Sequence, residues 1–150
     1  MLKKLKRLLD STESADHIPG LERRHLQVSV AVLLHEGRRA DYEHQAGESD
    51  VAELALRELF GVSAEEAATL LEEGRAKAEQ LTSFYAPVTV VKRDFSMPER
   101  IRLIEHLWRI SFADGQLNLY EDHYVRKIAH LLYVPNTDSM LARNRAKQAS

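Results

Sequence analysis

The sequence predicts an all-α fold: a single helical domain of seven to eight helices built from two pseudo-repeated helix–acidic turn–helix units. Three observations predict it. Apolar residues recur at spacings of three and four along most of the chain, the period of one helix face. Two serine–glutamate pairs, Ser63 with Glu66 and Ser96 with Glu99, have the spacing of a helix-opening capping box. The acidic stretch from Asp114 to Glu121 stands between two helical segments. A weaker copy runs from Asp41 to Glu48, with the same seven-residue separation and the same preceding alanine (Ala40 and Ala113).

In chain order, Leu2, Leu5, Leu8 and Leu9 fall on one helical face, with Lys3, Lys4, Lys6 and Arg7 around the rest. This segment resembles the start of a signal peptide only in charge, since no apolar stretch or cleavage site follows. Two readings of it stay open. One is weak peripheral contact of residues 1–9 with an anionic membrane surface. The other is docking of the leucines on the protein's own core. Residues 11–20 read as loop. Leu21 to Ala40 reads as helix through Leu26, Val30, Leu33 and Leu34.

After the first acidic turn, Ser49 is the expected N-cap of a helix from Val51 to Phe60, closed by Gly61. The Ser63 box opens a helix towards Leu81. Val88 to Val91 has strand propensity, but no partner strand exists elsewhere in the chain, so Phe84 to Phe95 is assigned to a short helix. The Ser96 box, with Pro98 tolerated in the first turn, opens a helix to about Ala113. Asn118 caps a helix to Tyr133, Pro135 stops it, and a last helix spans about Asp138 to Lys147. Expected core positions are Leu33, Leu34, Leu56, Leu59, Phe60, Leu103, Leu107, Ile110, Ile128 and Leu131.

With 150 residues, 44% of them hydrophobic and 29% charged, the composition fits one soluble domain with a single core. A net charge of −2 gives no reason to expect nucleic acid. The absence of cysteine excludes disulfides and thiolate metal sites, and fits a reducing compartment. The expected location is cytoplasmic.

The repeat is visible by counting. Leu34 to Glu48 aligns with Leu107 to Glu121 without a gap, and Leu59-Phe60-Gly61-Val62-Ser63 matches Leu131-Leu132-Tyr133-Val134-Pro135 after a one-residue slip. The residues of the second half, from Phe95-Ser96-Met97-Pro98-Glu99-Arg100 through Ala113-Asp114-Gly115, Tyr120-Glu121 and Leu131-Leu132-Tyr133-Val134, resemble the TerB-like (tellurite-resistance protein B-like) family in one of its bacterial branches. The first half agrees through Leu33-Leu34-His35-Glu36, Ala40-Asp41 and Leu56-Arg57-Glu58-Leu59-Phe60-Gly61-Val62. The resemblance covers about residues 20–145. It implies an all-α domain of cytoplasmic bacterial proteins, linked to chemical stress and metal responses, to metal binding and to membrane-associated complexes rather than to enzymatic turnover.

The turns can be weighed as chemistry. With Glu121 at the last position of an EF-hand loop, Gly115 falls on the turn glycine, Asp114 on the fifth position and Leu117 on the apolar eighth. The first and third positions are Ile110 and Phe112, so the loop is half a site. The first copy is poorer, with Tyr42 in the glycine place and Arg38 and Arg39 nearby. If the repeats face each other, Asp41, Glu48, Asp114 and Glu121 share one divalent cation, with Glu36 as a further donor. The other reading is structural: Asp114 hydrogen-bonds the turn, Gly115 supplies a positive φ, and Glu121 completes a cap with Asn118. The seven histidines read as surface or half-buried, and Trp108 with Phe112 as core. No zinc spacing, P-loop or nucleophile elbow occurs, so no enzyme is expected. Two functions follow: a stress-response module holding a weakly bound cation, or a protein-interaction adaptor whose turns are structural. Protein partners are expected in both.

Overall fold

Two helix starts follow the capping chemistry read from the serine–glutamate pairs. In the computed structural model, which describes residues 19–39, 46–113 and 119–149, the Ser96 hydroxyl accepts from the Glu99 N–H at 3.4 Å and Glu99 Oε1 accepts from the Ser96 N–H at 2.8 Å. Ser63 accepts from the Glu66 N–H at 3.1 Å. Its box is only half made, because the Glu66 carboxylate turns instead towards Arg24, 3.8 Å away. Seven helices result among the described residues: α1 (Pro19–Arg39), α2 (Ala46–Phe60), α3 (Ala64–Gln80), α4 (Tyr85–Asp94), α5 (Met97–Phe112), α6 (Leu119–Leu131) and α7 (Asn136–Ala149). No strand occurs among the described residues. The valine run of α4 is helical, with Val88, Val90 and Val91 buried and Thr89 Oγ1 donating back to the Tyr85 carbonyl at 2.7 Å. The expected N-terminal helix of residues 1–10 lies outside the described residues.

Ser49 is not the cap of α2. The helix begins three residues earlier, at Ala46, in a stretch whose Ala46 and Glu48 favour helix and whose acidic residue suits an N-terminal dipole. The last helix likewise begins directly after Pro135, before the expected Asp138.

The repeat extends to three helices per half. The break from α1 to α2 runs from Arg39 to Ala46, and that from α5 to α6 from Phe112 to Leu119. Both bounds are displaced by the same 73 residues. The most extensive packing is α1 on α3, and next α5 on α7, the same pair in each half. α4 bridges the halves and packs on α1. The α1–α3 crossing is very close: a Cβ added to Gly74 would stand 2.7 Å from the Ala31 carbonyl carbon. Ala146, the equivalent small residue on α7, is fully buried.

One core joins the halves. Trp108, Leu33, Leu34, Leu56, Leu70, Leu103, Ile104, Leu107, Ile128, Leu132 and Val30 are its largest fully buried side chains, the aliphatic ones each worth about 1.5–3 kcal/mol. Leu59 and Leu131 are only partly buried. On α6 the inward face carries Val125, Ile128, Ala129 and Leu132, at spacings of three and four, which turns Leu131 aside.

Helix ends differ between halves. Gly61 closes α2 at φ 69°, its N–H bonded to the Arg57 carbonyl at 2.8 Å. Tyr133 closes α6 at φ 60°, in a Schellman pair: Tyr133 N–H to the His130 carbonyl at 3.0 Å and Val134 N–H to the Ala129 carbonyl at 2.9 Å. Left-handed backbone costs a residue with a Cβ on the order of 1–2 kcal/mol.

Candidate functional site

The two acidic turns are the predicted site. Asp41 and Asp114 lie outside the described residues. Glu48 and Glu121 stand at the same place in the two halves, as the third residue of α2 and of α6. Their position in a first helical turn suits a carboxylate, because the backbone N–H groups there carry partial positive charge. The Glu121 side chain is only 3% exposed. Carboxylates are almost never buried to this degree unless paired or metal-bound.

The helices around the turns come together at one end of the molecule. Gly37, near the C-terminal end of α1, faces Leu107 and Tyr124; an added Cβ there would lie 3.2 Å from Leu107 Cδ2. The Tyr124 hydroxyl, one turn beyond Glu121, donates to the Leu33 carbonyl at 2.7 Å. The helix entering the first turn is thus seated against the helix leaving the second. Among the described residues no group of three or more His, Asp or Glu side chains is arranged to hold a metal. Convergence of all four predicted carboxylates therefore falls on residues outside the description.

Two histidines depart from the sequence expectation. His35 and His106 are buried, at 6% and 5% exposure. His106 follows Leu103 by three residues and precedes Ile110 by four, and this placement on the apolar arc of α5 was the signal for its burial. Its Nε2 lies 3.2 Å from Glu58 Oε2. Arg109 continues the chain of charges to Glu105 at 3.3 Å, and Arg145 reaches Glu105 from α7 at 2.5 Å. Burial holds the His106 imidazole below its ordinary value, with the Glu58 carboxylate pulling the other way. The group ties α2, α5 and α7 together. Trp108 is core, as expected: it is fully buried, its indole N–H points to Ser139 Oγ at 3.4 Å, and its ring stacks with Phe112 at 6.3 Å between centres.

The family model described as Tellurite resistance protein TerB matches residues 27–144, from the third turn of α1 into α7. The chain belongs to the TerB family. A crystal structure of a protein of unknown function from Porphyromonas gingivalis W83 has a similar fold, with a TM-score of 0.57 and 18% identity over 82% of this chain and 89% of that one. A search of curated proteins found no match. The TerB match spans both halves of the repeat and both acidic turns.

Proposed function

We propose that this TerB-family chain is a non-enzymatic, cytoplasmic helical module of a chemical-stress response, and that its paired turns hold a divalent cation weakly. Asp41, Glu48, Asp114 and Glu121 are the residues that hold it. The observation that carries the reading is the burial of the Glu121 carboxylate at the third residue of α6, the place Glu48 takes in α2. Glu121 fits the role, since a buried carboxylate at a helix start gains from a neighbouring cation. An all-oxygen donor set suits calcium, magnesium or manganese rather than zinc. The cation would neutralise clustered carboxylates and brace the end of the bundle where α1 meets α6. No described helix is long and apolar enough to cross a membrane.

Thermal melts of chelator-stripped protein, with and without calcium, magnesium or manganese, test this. The expected result is a cation-dependent rise in Tm that Asp114→Asn removes, because ligand binding to the folded state alone raises stability by mass action. A metal-independent Tm, with Asp114→Asn neutral and Gly115→Val damaging, sinks the cation and leaves the turns structural.

A second reading is that of a protein-interaction adaptor. It is supported by two largely exposed tyrosines, Tyr85 at the start of α4 and Tyr133 just past the end of α6. Tyrosine is enriched where proteins bind one another.

A further inference from the structure

α4 and α6 leave a groove of about 330 Å³ between them, within the size range of preformed binding pockets. Val88 is buried in it, and Phe84 and Leu131 are half-buried, so the floor is apolar. Lys92 and Lys127 also line it, and no aspartate or glutamate does. Neither ammonium forms an ion pair among the described residues, in a chain whose net charge is −2. Lys92 Nζ instead sits 4.3 Å above the Tyr133 ring.

Tyr133 is the second observation. It is the one non-glycine residue with a positive φ among the described residues, and the first half uses glycine at the equivalent position. The Schellman geometry needs the left-handed backbone and not the ring. Tyr133, beside the groove under Lys92, is 68% exposed, and Tyr85, which lines the groove, is 78% exposed. Strained backbone that displays a side chain the fold does not bury is a mark of binding surfaces.

The two walls are also held in place. The Arg100 guanidinium donates to the Lys92 carbonyl at 2.6 Å and the Phe95 carbonyl at 3.1 Å, both at the end of α4. It donates as well to the Leu132 carbonyl at 3.2 Å, just past the end of α6.

We propose that this groove docks an acidic, leucine-bearing segment of a partner protein. Its carboxylates meet Lys92 and Lys127, its apolar side chain enters over Val88 and Leu131, and the Tyr85 ring in the groove wall and the Tyr133 ring beside Lys92 add aromatic contact. Charge decides against the chain's own N-terminal segment, which carries Lys3, Lys4, Lys6 and Arg7. The inference deepens the adaptor reading and does not involve the acidic turns, which adjoin the other end of α6. The cation melts and the titration below therefore fail independently.

The test is a titration of the full chain with a fluorescein-labelled octapeptide of glutamate pairs separated by single leucines, and with its lysine counterpart. Amide chemical shifts locate the site. The glutamate peptide should bind saturably and the lysine peptide should not, with shifts confined to residues 82–92 and 127–133. The double change Lys92→Glu with Lys127→Glu should weaken binding about tenfold through like-charge repulsion. Tyr133→Ala and Tyr133→Gly should each weaken it about fivefold, as loss of an interface aromatic does. Tyr133→Gly should melt a few degrees above Tyr133→Ala and no lower than the wild type, since glycine relieves the strain. Absence of saturable binding, equal binding of the lysine peptide, or shifts elsewhere would overturn the proposal. So would unchanged affinity on removal of the ring, or a Tyr133→Gly protein that melts well below the wild type. Binding to phosphatidylglycerol vesicles without binding to the peptide would reassign the patch to a membrane and overturn it too.

Discussion

The second helices of the two halves end at equivalent places, each under an arginine, and they do so differently. In the first half Arg23 donates to the Phe60 carbonyl at 3.3 Å and lies 5.7 Å from the Phe60 ring centre, and Gly61 then turns the chain without strain. In the second half Arg100 donates to the corresponding Leu132 carbonyl and to two carbonyls of α4 as well, and a tyrosine takes the left-handed turn. The first end is relaxed and local. The second is strained and cross-braced to another helix. A duplicated unit can keep its packing while one copy gives up some backbone comfort to present a side chain, provided neighbouring hydrogen bonds hold the turn in place.

The sharpest break in the comparison is at the α1–α3 crossing. Gly74→Val should cost about 3 kcal/mol or more, because the new atoms meet backbone that cannot yield. Ala146→Gly, at the matching place on α7, should cost only about 1 kcal/mol, through helix propensity. Denaturant unfolding of both variants measures the two losses; a Gly74→Val protein as stable as the wild type would mean that the α1–α3 crossing is not tight.

Next in size is the arginine pair. Arg100→Ala should cost about 2–3 kcal/mol, since it leaves three carbonyls without a charged donor. Arg23→Ala should cost about 0.5–1 kcal/mol, for one long bond and the contact of an exposed guanidinium with the Phe60 ring. Reversal of that order by chemical denaturation would contradict the cross-bracing.

Gly61→Ala should lose about 1–2 kcal/mol, the cost of a Cβ in left-handed backbone. The sign should be opposite to the change at Tyr133, where glycine is the relaxed residue. Melting temperatures of the two variants side by side decide it; a neutral Gly61→Ala would remove the case for strain.

The smallest effect is a pH dependence confined to α5. Above pH 6.5, the ordinary histidine value, the His106 imidazole is neutral both folded and unfolded. As pH falls below 6.5 the unfolded chain takes up a proton that the buried ring resists, so stability declines until the lowered folded value is passed. His106→Gln should therefore show a shallower loss of Tm between pH 7 and 5 than the wild type. Parallel profiles would show that Glu58 fully compensates for the burial.

The helices themselves were legible in the sequence. Ser63, Ser96 and Gly61 are local signals whose hydrogen bonds form within a few residues of chain, whereas α6 ends at Leu131 in the Tyr133 turn, before the expected stop at Pro135. The valine run of α4 was legible through the absence of a partner strand. The repeat could be counted, though its third helix could not, because α3 and α7 share little beyond small residues facing α1 and α5. Of the four carboxylates, the sequence supplied the spacing, and the near-complete burial of Glu121 is a property of the tertiary packing alone.

The sequence by itself determined, to within a few residues, where helices start and stop, and that the chain repeats, since capping, turn and propensity terms act over one helical turn. Tertiary structure alone decided that Leu132 rather than Leu131 enters the core, that His106 is buried against Glu58, and that Arg100 reaches the ends of two helices. It alone also showed that Tyr133 stands in a backbone made for glycine. Those outcomes depend on the phase and approach of helices far apart in the chain, and no local preference encodes them.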